Sequence, residues 1–120
     1  MIQGVKNGRT VSSVVGGGKT ITYIGNGSNR ETNEFVFDIQ VKNKLHVCFS
    51  TFWARGNFSV YGMKNGIYTS IQTNVGYGDK YEVLGLTVDK EGSYENIKIV
   101  VIRDEIYSSS CKYVMTVSAI

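Results

Sequence analysis

The sequence predicts an all-β chain, an antiparallel two-sheet β-sandwich or jelly roll of about eight strands. Three observations carry this. Apolar and polar residues alternate with a period of two through most of the chain. Turn-forming residues recur roughly every 8–12 positions, the spacing of short sandwich strands. The composition, with 14 Gly, no Pro and abundant Tyr, Phe, Val, Ile and Thr, suits pleated sheet rather than helix.

Taken in order, residues 10–15 and 19–24 read as two short strands joined by a Gly16-Gly17-Gly18 turn. Gly25-Asn26-Gly27-Ser28-Asn29 reads as a loop. Residues 34–41 alternate cleanly, with Phe35, Phe37, Ile39 and Val41 on one face. Lys42-Asn43 then reads as a tight turn into 44–51, the best hairpin by pattern. A further strand runs from Phe58 to Gly62, Lys64-Asn65-Gly66 is a strong turn signal, and residues 67–71 return from it. Residues 72–80 read as a loop and 81–88 as a strand. Asp89-Lys90-Glu91-Gly92 reads as a turn into a strand over 94–103. Residues 104–110 are polar, and a last strand is expected over 111–118.

The whole chain, 1–120, reads as one β-sandwich domain, long enough for a proper core without staples. Its net charge of +3 is mild, and its basic residues are scattered rather than clustered along a phosphate track, so no nucleic-acid partner is expected. No window approaches the roughly 18 apolar residues of a membrane span. The first residues lack the basic and apolar regions of a signal peptide, which fits either an intracellular protein or one whose leader was removed.

Cys48 and Cys111 permit one disulfide by count. Phase argues against it: Leu45, Val47 and Phe49 take the inward face, turning Cys48 outward, whereas Cys111 shares phase with the inward Tyr113, Met115 and Val117.

Catalytic motifs are weak. Gly18-Lys19-Thr20 matches the tail of a phosphate-binding loop, but position 13 is Ser and a strand follows instead of a helix. His46, the single histidine, falls out of phase with Leu45 and Val47 and points to solvent, on the same face as Cys48. No nucleophile elbow accompanies it. One His and two distant Cys make no closed zinc site, and Glu31 and Glu34 lack the Asp-rich pattern of a calcium loop. No cofactor, no metal and no enzymatic activity are expected.

Aromatic residues are the remaining signal. Trp53, beside Phe52 and Arg55, reads equally as a plug at one end of the core or as a contact residue. Tyr68, Tyr77, Tyr81, Tyr94 and Tyr107 lie near expected turns. Asn26-Gly27-Ser28 and Asn57-Phe58-Ser59 are glycosylation sequons that matter only in a eukaryotic secretory setting.

The order of these segments resembles the bacterial pre-peptidase C-terminal group of β-sandwich modules. The resemblance is carried by Phe35-Val36-Phe37-Asp38, Lys44-Leu45-His46-Val47, Gly56-Asn57-Phe58-Ser59-Val60-Tyr61, Lys64-Asn65-Gly66, Glu91-Gly92-Ser93-Tyr94 and Lys112-Tyr113-Val114-Met115-Thr116-Val117. Within that architecture the chain also resembles the periplasmic inhibitors of g-type lysozyme, through Gly17, Tyr23-Ile24-Gly25 and Glu34-Phe35-Val36-Phe37. It departs in its first loop, Asn26 to Glu31, which lacks aromatics, and in a short last loop. The acidic pair of calcium-binding modules is absent.

The resemblance implies a periplasmic or extracellular binding protein that presents loops to an enzyme cleft. The implied contact residues are Arg30 on the loop over 25–33, and Arg103 and Tyr107 on the loop over 103–110; Trp53, with exposed tyrosines, would serve a sugar or extended chain. The alternative it implies is an accessory carbohydrate- or collagen-binding module, which a flat aromatic stripe on one sheet would favour. The expected partner is thus a protein, such as a lysozyme, or a glycan. An exposed edge strand could also pair with a second copy.

Overall fold

The computed structural model describes residues 10–11, 20–26, 32–52, 54–77, 82–106 and 112–120. It is a β-sandwich of nine strands: β1 (Thr10–Val11), β2 (Thr20–Asn26), β3 (Thr32–Phe37), β4 (Lys44–Phe52), β5 (Ala54–Lys64), β6 (Ile67–Gly76), β7 (Glu82–Glu91), β8 (Ile97–Ile106) and β9 (Lys112–Ala119). One sheet has the order β1-β3-β8-β5-β6 and the other β2-β9-β4-β7. Eight strands pair antiparallel, and the two-residue β1 joins β3 in parallel.

The alternation in the sequence decides which residues fill the space between the sheets. Phe35 and Phe37 of β3, Ile97, Ile99 and Val101 of β8, and Phe58 and Val60 of β5 point inward from one sheet. Leu45, Val47 and Phe49 of β4, with Tyr113, Met115 and Val117 of β9, meet them from the other. Phe49 and Phe58 stack across the middle with ring centroids 4.4 Å apart. Truncating either ring to Ala would cost about 3–5 kcal/mol, through lost transfer energy and the cavity left behind. Cys48 is half-buried with a free thiol, as its phase requires, and Cys111 lies outside the described residues.

The sheet assignment corrects several expectations. Residues 34–41 and 44–51 do not form a hairpin: β3 pairs with β8, and β4 pairs with β7 and β9. The intervening segment crosses from sheet to sheet while Ile39 and Val41 continue to fill the core. Val41 is held there by two backbone hydrogen bonds with Tyr94, of 2.9 and 2.8 Å. Nor do the first two strands pair with each other, because β1 and β2 belong to different sheets. Alternation fixes an inward face, and both kinds of neighbour satisfy it equally.

Strand lengths differ where bulges occur. β6 continues to Gly76, through what reads as a loop. It accommodates extra residues against β5, with Asn74 at φ 56° and its N–H donated to Ser59 Oγ at 3.0 Å. β7 runs on through Glu91, into the expected turn, after a bulge at Gly85. Gly85 has φ 68° and donates its N–H to Ser50 Oγ at 3.0 Å. β8 begins at Ile97 rather than at Tyr94 and reaches Ile106. The Lys64-Asn65-Gly66 signal is realised as read. Lys64 pairs with Ile67 around Asn65 (φ 53°) and Gly66 (φ 78°), a type I′ pair. The Glu95 carboxylate accepts both turn N–H groups, at 2.7 and 3.3 Å.

Candidate binding surfaces

The strand register gathers one set of strand ends. In one sheet Asn26, Lys112, Phe52 and Glu82 form a row. In the other, Thr32 lies opposite Ile102 and Ala54 opposite Ile106. These ends flank the segments that carry Arg30, Trp53, Tyr81 and Tyr107, all of which lie outside the described residues.

Arg103 is described, and it is not a loop residue. It lies within β8, only 2% exposed, on the inward face shared with Ile99 and Val101. Its guanidinium lies 5.2 Å from the centroid of the Tyr113 ring, a cation–π arrangement suited to a planar charge taken out of water. Tyr23 packs nearby, 6.3 Å from Tyr113 between ring centroids. Burial pushes the Tyr23 hydroxyl up, with the positive charge of Arg103 opposing the shift. Beside them Tyr77 is fully buried and donates its hydroxyl to the Ile102 carbonyl at 2.5 Å. This end of the core is therefore a packed platform of Tyr77, Arg103, Tyr113 and Tyr23. Arg103 belongs to the core and does not reach outward.

A second surface is the outer face of the five-stranded sheet. Tyr61 of β5 and Lys98 of β8 are register partners. Lys98 Nζ lies 5.3 Å from the Tyr61 ring centroid and 4.4 Å from that of Tyr68. It also lies 3.7 Å from Glu34 Oε1. Burial raises the Tyr68 hydroxyl, opposed by a hydrogen bond with Asn96 and assisted by the Glu34 charge. The result is a half-buried pair of tyrosines pinned by one ammonium, with charge balanced locally. It offers apolar contact and phenolic hydrogen bonds, not acid–base chemistry. Most other described aromatics, Tyr77 and Tyr94 included, are buried between the sheets. Parity alone would have turned Tyr61 and Lys98 outward, since both alternate with core residues. Their meeting with Tyr68 depends on pairings that only the register supplies.

The outer face of the four-stranded sheet carries His46 opposite Asp89, with Nδ1 to Oδ1 at 2.6 Å. The hydrogen bond from His46 holds the Asp89 carboxyl below its usual range, against partial desolvation and helped by the His46 and Lys44 charges. Cys48 follows two residues along the same face, but Asp89 occupies the ring nitrogen, and no His46–Cys48 hydrogen bond occurs among the described contacts. Among the described residues no three His, Cys, Asp or Glu side chains converge to hold a metal ion. Nor do these residues include a helix long and apolar enough to cross a membrane.

At the opposite end of the sandwich an open cleft of about 300 Å³ lies between Lys42, Lys64 and Glu95, floored by Tyr94. Lys64 Nζ sits 5.1 Å from the Tyr94 ring centroid.

The fold belongs to the class of small antiparallel β-sandwich modules. Among solved structures it is similar to the pre-peptidase C-terminal domain of collagenase from Bacillus anthracis, with 12% identity, a TM-score of 0.50, and coverage of 97% of this chain and 100% of that one. It also matches the periplasmic inhibitors of g-type lysozyme from Escherichia coli (a mutant) and Salmonella Typhimurium. These are 15% and 16% identical, with TM-scores of 0.45, covering 92% of this chain and 97% of each of theirs. At such identities the likeness is one of fold. No family model matches the chain, and no curated protein matches it.

Proposed function

We propose that this chain is a non-catalytic binding module, a single sandwich domain working in the periplasm or outside the cell, which inhibits a g-type lysozyme by filling its cleft with loops. The observation that supports this reading is the rigid end platform. Buried Tyr77, Arg103 and Tyr113 underlie the strand ends that flank Arg30, Trp53 and Tyr107. A preorganised support of this kind reduces the ordering cost of a loop-mediated contact. In this reading Arg30, Trp53 and Tyr107 touch the partner, and Arg103 holds the platform. No cofactor, nucleic acid or membrane takes part.

Calorimetry against g-type and c-type lysozymes, with enzyme activity followed in parallel, tests it. Binding to the g-type enzyme with loss of its activity is expected. Arg30→Ala should weaken binding by about 1–4 kcal/mol, the range of an interface anchor. Unaltered lysozyme activity at saturating module would sink the reading.

A second reading is favoured by the Tyr61–Lys98–Tyr68 face, which sets two tyrosines on the outer side of one sheet, where an accessory carbohydrate- or collagen-binding module would carry them. Its mark would be glycan or collagen binding that Tyr68→Ala removes and Arg30→Ala leaves intact.

A further inference from the structure

Among the described residues the two sheets end in four edge strands, and an edge presents unpaired N–H and C=O groups to any strand that can reach it. One of them, β1, is described over Thr10–Val11 alone, and two of the others are blunted. β6 is broken by register shifts and by the left-handed Asn74. β7 is broken at the left-handed Gly85. β2 has none of these features. Its register with β9 is unbroken from Thr20↔Ser118 to Asn26↔Lys112. Its sequence, Thr-Ile-Thr-Tyr-Ile-Gly-Asn, holds no charge and no Pro, and Thr20, Ile21, Thr22 and Ile24 are β-branched. Ile24 is 62% exposed. Among the described residues no strand lies beyond it.

We propose that β2 is the docking edge for a second copy of this chain, pairing antiparallel with its own counterpart about a two-fold axis at Thr22. Such an interface is isologous, so each contact occurs twice. With Thr22 opposite Thr22, Ile21 falls opposite Tyr23 on the inward face, a β-branched–aromatic pair of the kind that stabilises antiparallel sheets. Thr20 falls opposite the exposed Ile24 on the outer face. The Thr22–Thr116 hydroxyl contact already made there, at 3.2 Å, would continue across the axis to the second Thr22. Centring the axis on Tyr23 instead would set Ile21 against Gly25, which has no side chain to pack. The two four-stranded sheets would become one of eight strands. A strand edge buries little area, so the dimer is weak and depends on concentration.

The inference is independent of the functional reading. Sedimentation or light scattering across a concentration series tests it. The mass should rise toward twice the monomer value, and Ile24→Lys should hold it at the monomer value with an unchanged circular dichroism spectrum. In a Cys48→Ser, Cys111→Ser background, mild oxidation should cross-link Thr22→Cys into a covalent dimer and leave Ile24→Cys monomeric. Directly opposite residues lie about 4.5–5.5 Å apart at Cα, within disulfide reach. A monomer at every concentration up to the solubility limit would overturn the proposal, as would a dimer indifferent to Ile24→Lys. Equal cross-linking at both positions would overturn the register.

Discussion

Each end of the sandwich is closed by a tyrosine lying over a glycine of β5, and the two closures differ in what they tolerate. At one end Tyr77 caps Gly56: its N–H donates to the Gly56 carbonyl at 3.0 Å, and its hydroxyl reaches Ile102 O. A methyl group on Gly56 would run into the Ile102 carbonyl and come within 2.8 Å of the Tyr77 hydroxyl. At the other end Tyr94 caps Gly62, and the atoms a methyl group there would meet first all belong to the Tyr94 ring. The first obstacle is backbone already bound into the sheet. The second is a side chain on a short segment between strands. The same residue pair thus makes a stiff end beneath the proposed contact loops and a more forgiving end beside the cleft.

Substitutions at the two glycines would break that contrast if it is mistaken. Gly56→Ala should be the most damaging, at about 3 kcal/mol, since the strand itself must shift. Gly62→Ala should cost less, about 1–2 kcal/mol, because the side chain of Tyr94 and its short segment, rather than a paired strand, must shift. Urea denaturation of both variants measures the difference, and equal losses would mean that the two ends are equally rigid. Tyr77→Phe keeps the ring and deletes the hydroxyl, so a loss of about 1 kcal/mol is expected by the same measurement. A neutral result would show that ring packing alone makes the end stiff.

The smallest effect belongs to neither end. Asp89 is exposed, and its hydrogen bond to His46 lowers its folded-state pKa. A carboxylate shifted down contributes stability above its unfolded pKa of about 4, and that contribution disappears as pH falls through the folded value. Asp89→Asn should therefore be slightly destabilising near neutrality and indistinguishable from the parent in strong acid. Denaturation midpoints at the two pH values check the sign.

Parity was legible in the sequence, and partnership was not. Leu45, Val47 and Phe49 announce their face by alternation, and all three are fully buried. Turn chemistry was legible where it is local: Asn65-Gly66 supplies the two left-handed residues that a tight hairpin requires. The apparent hairpin around Lys42-Asn43 failed because a crossover between sheets preserves the same alternation. Strand limits were lost at Asn74, where a bulge carries β6 through residues that read as loop, and beyond Val88, where β7 continues to Glu91 through residues that read as a turn. Arg103 was placed on a contact loop by resemblance, at the end of the expected strand over 94–103, and only its place in β8 over Tyr113 reveals a buried cation. His46 and Asp89 are 43 positions apart, so nothing local in the sequence could join them.

Of all consecutive strands described, only β5 and β6 are hydrogen-bonded to each other. Every other pairing waits for a distant segment, and β2 waits longest, since Thr20 pairs with Ser118. Folding therefore begins with one cheap local closure and then requires a series of costly long-range ones, the topology that makes sandwiches slow to fold. During synthesis, a chain not yet extended to β9 cannot complete the four-stranded sheet. Until then β2, an uncharged stretch rich in β-branched residues, has no partner within its own molecule and must be kept from finding one elsewhere.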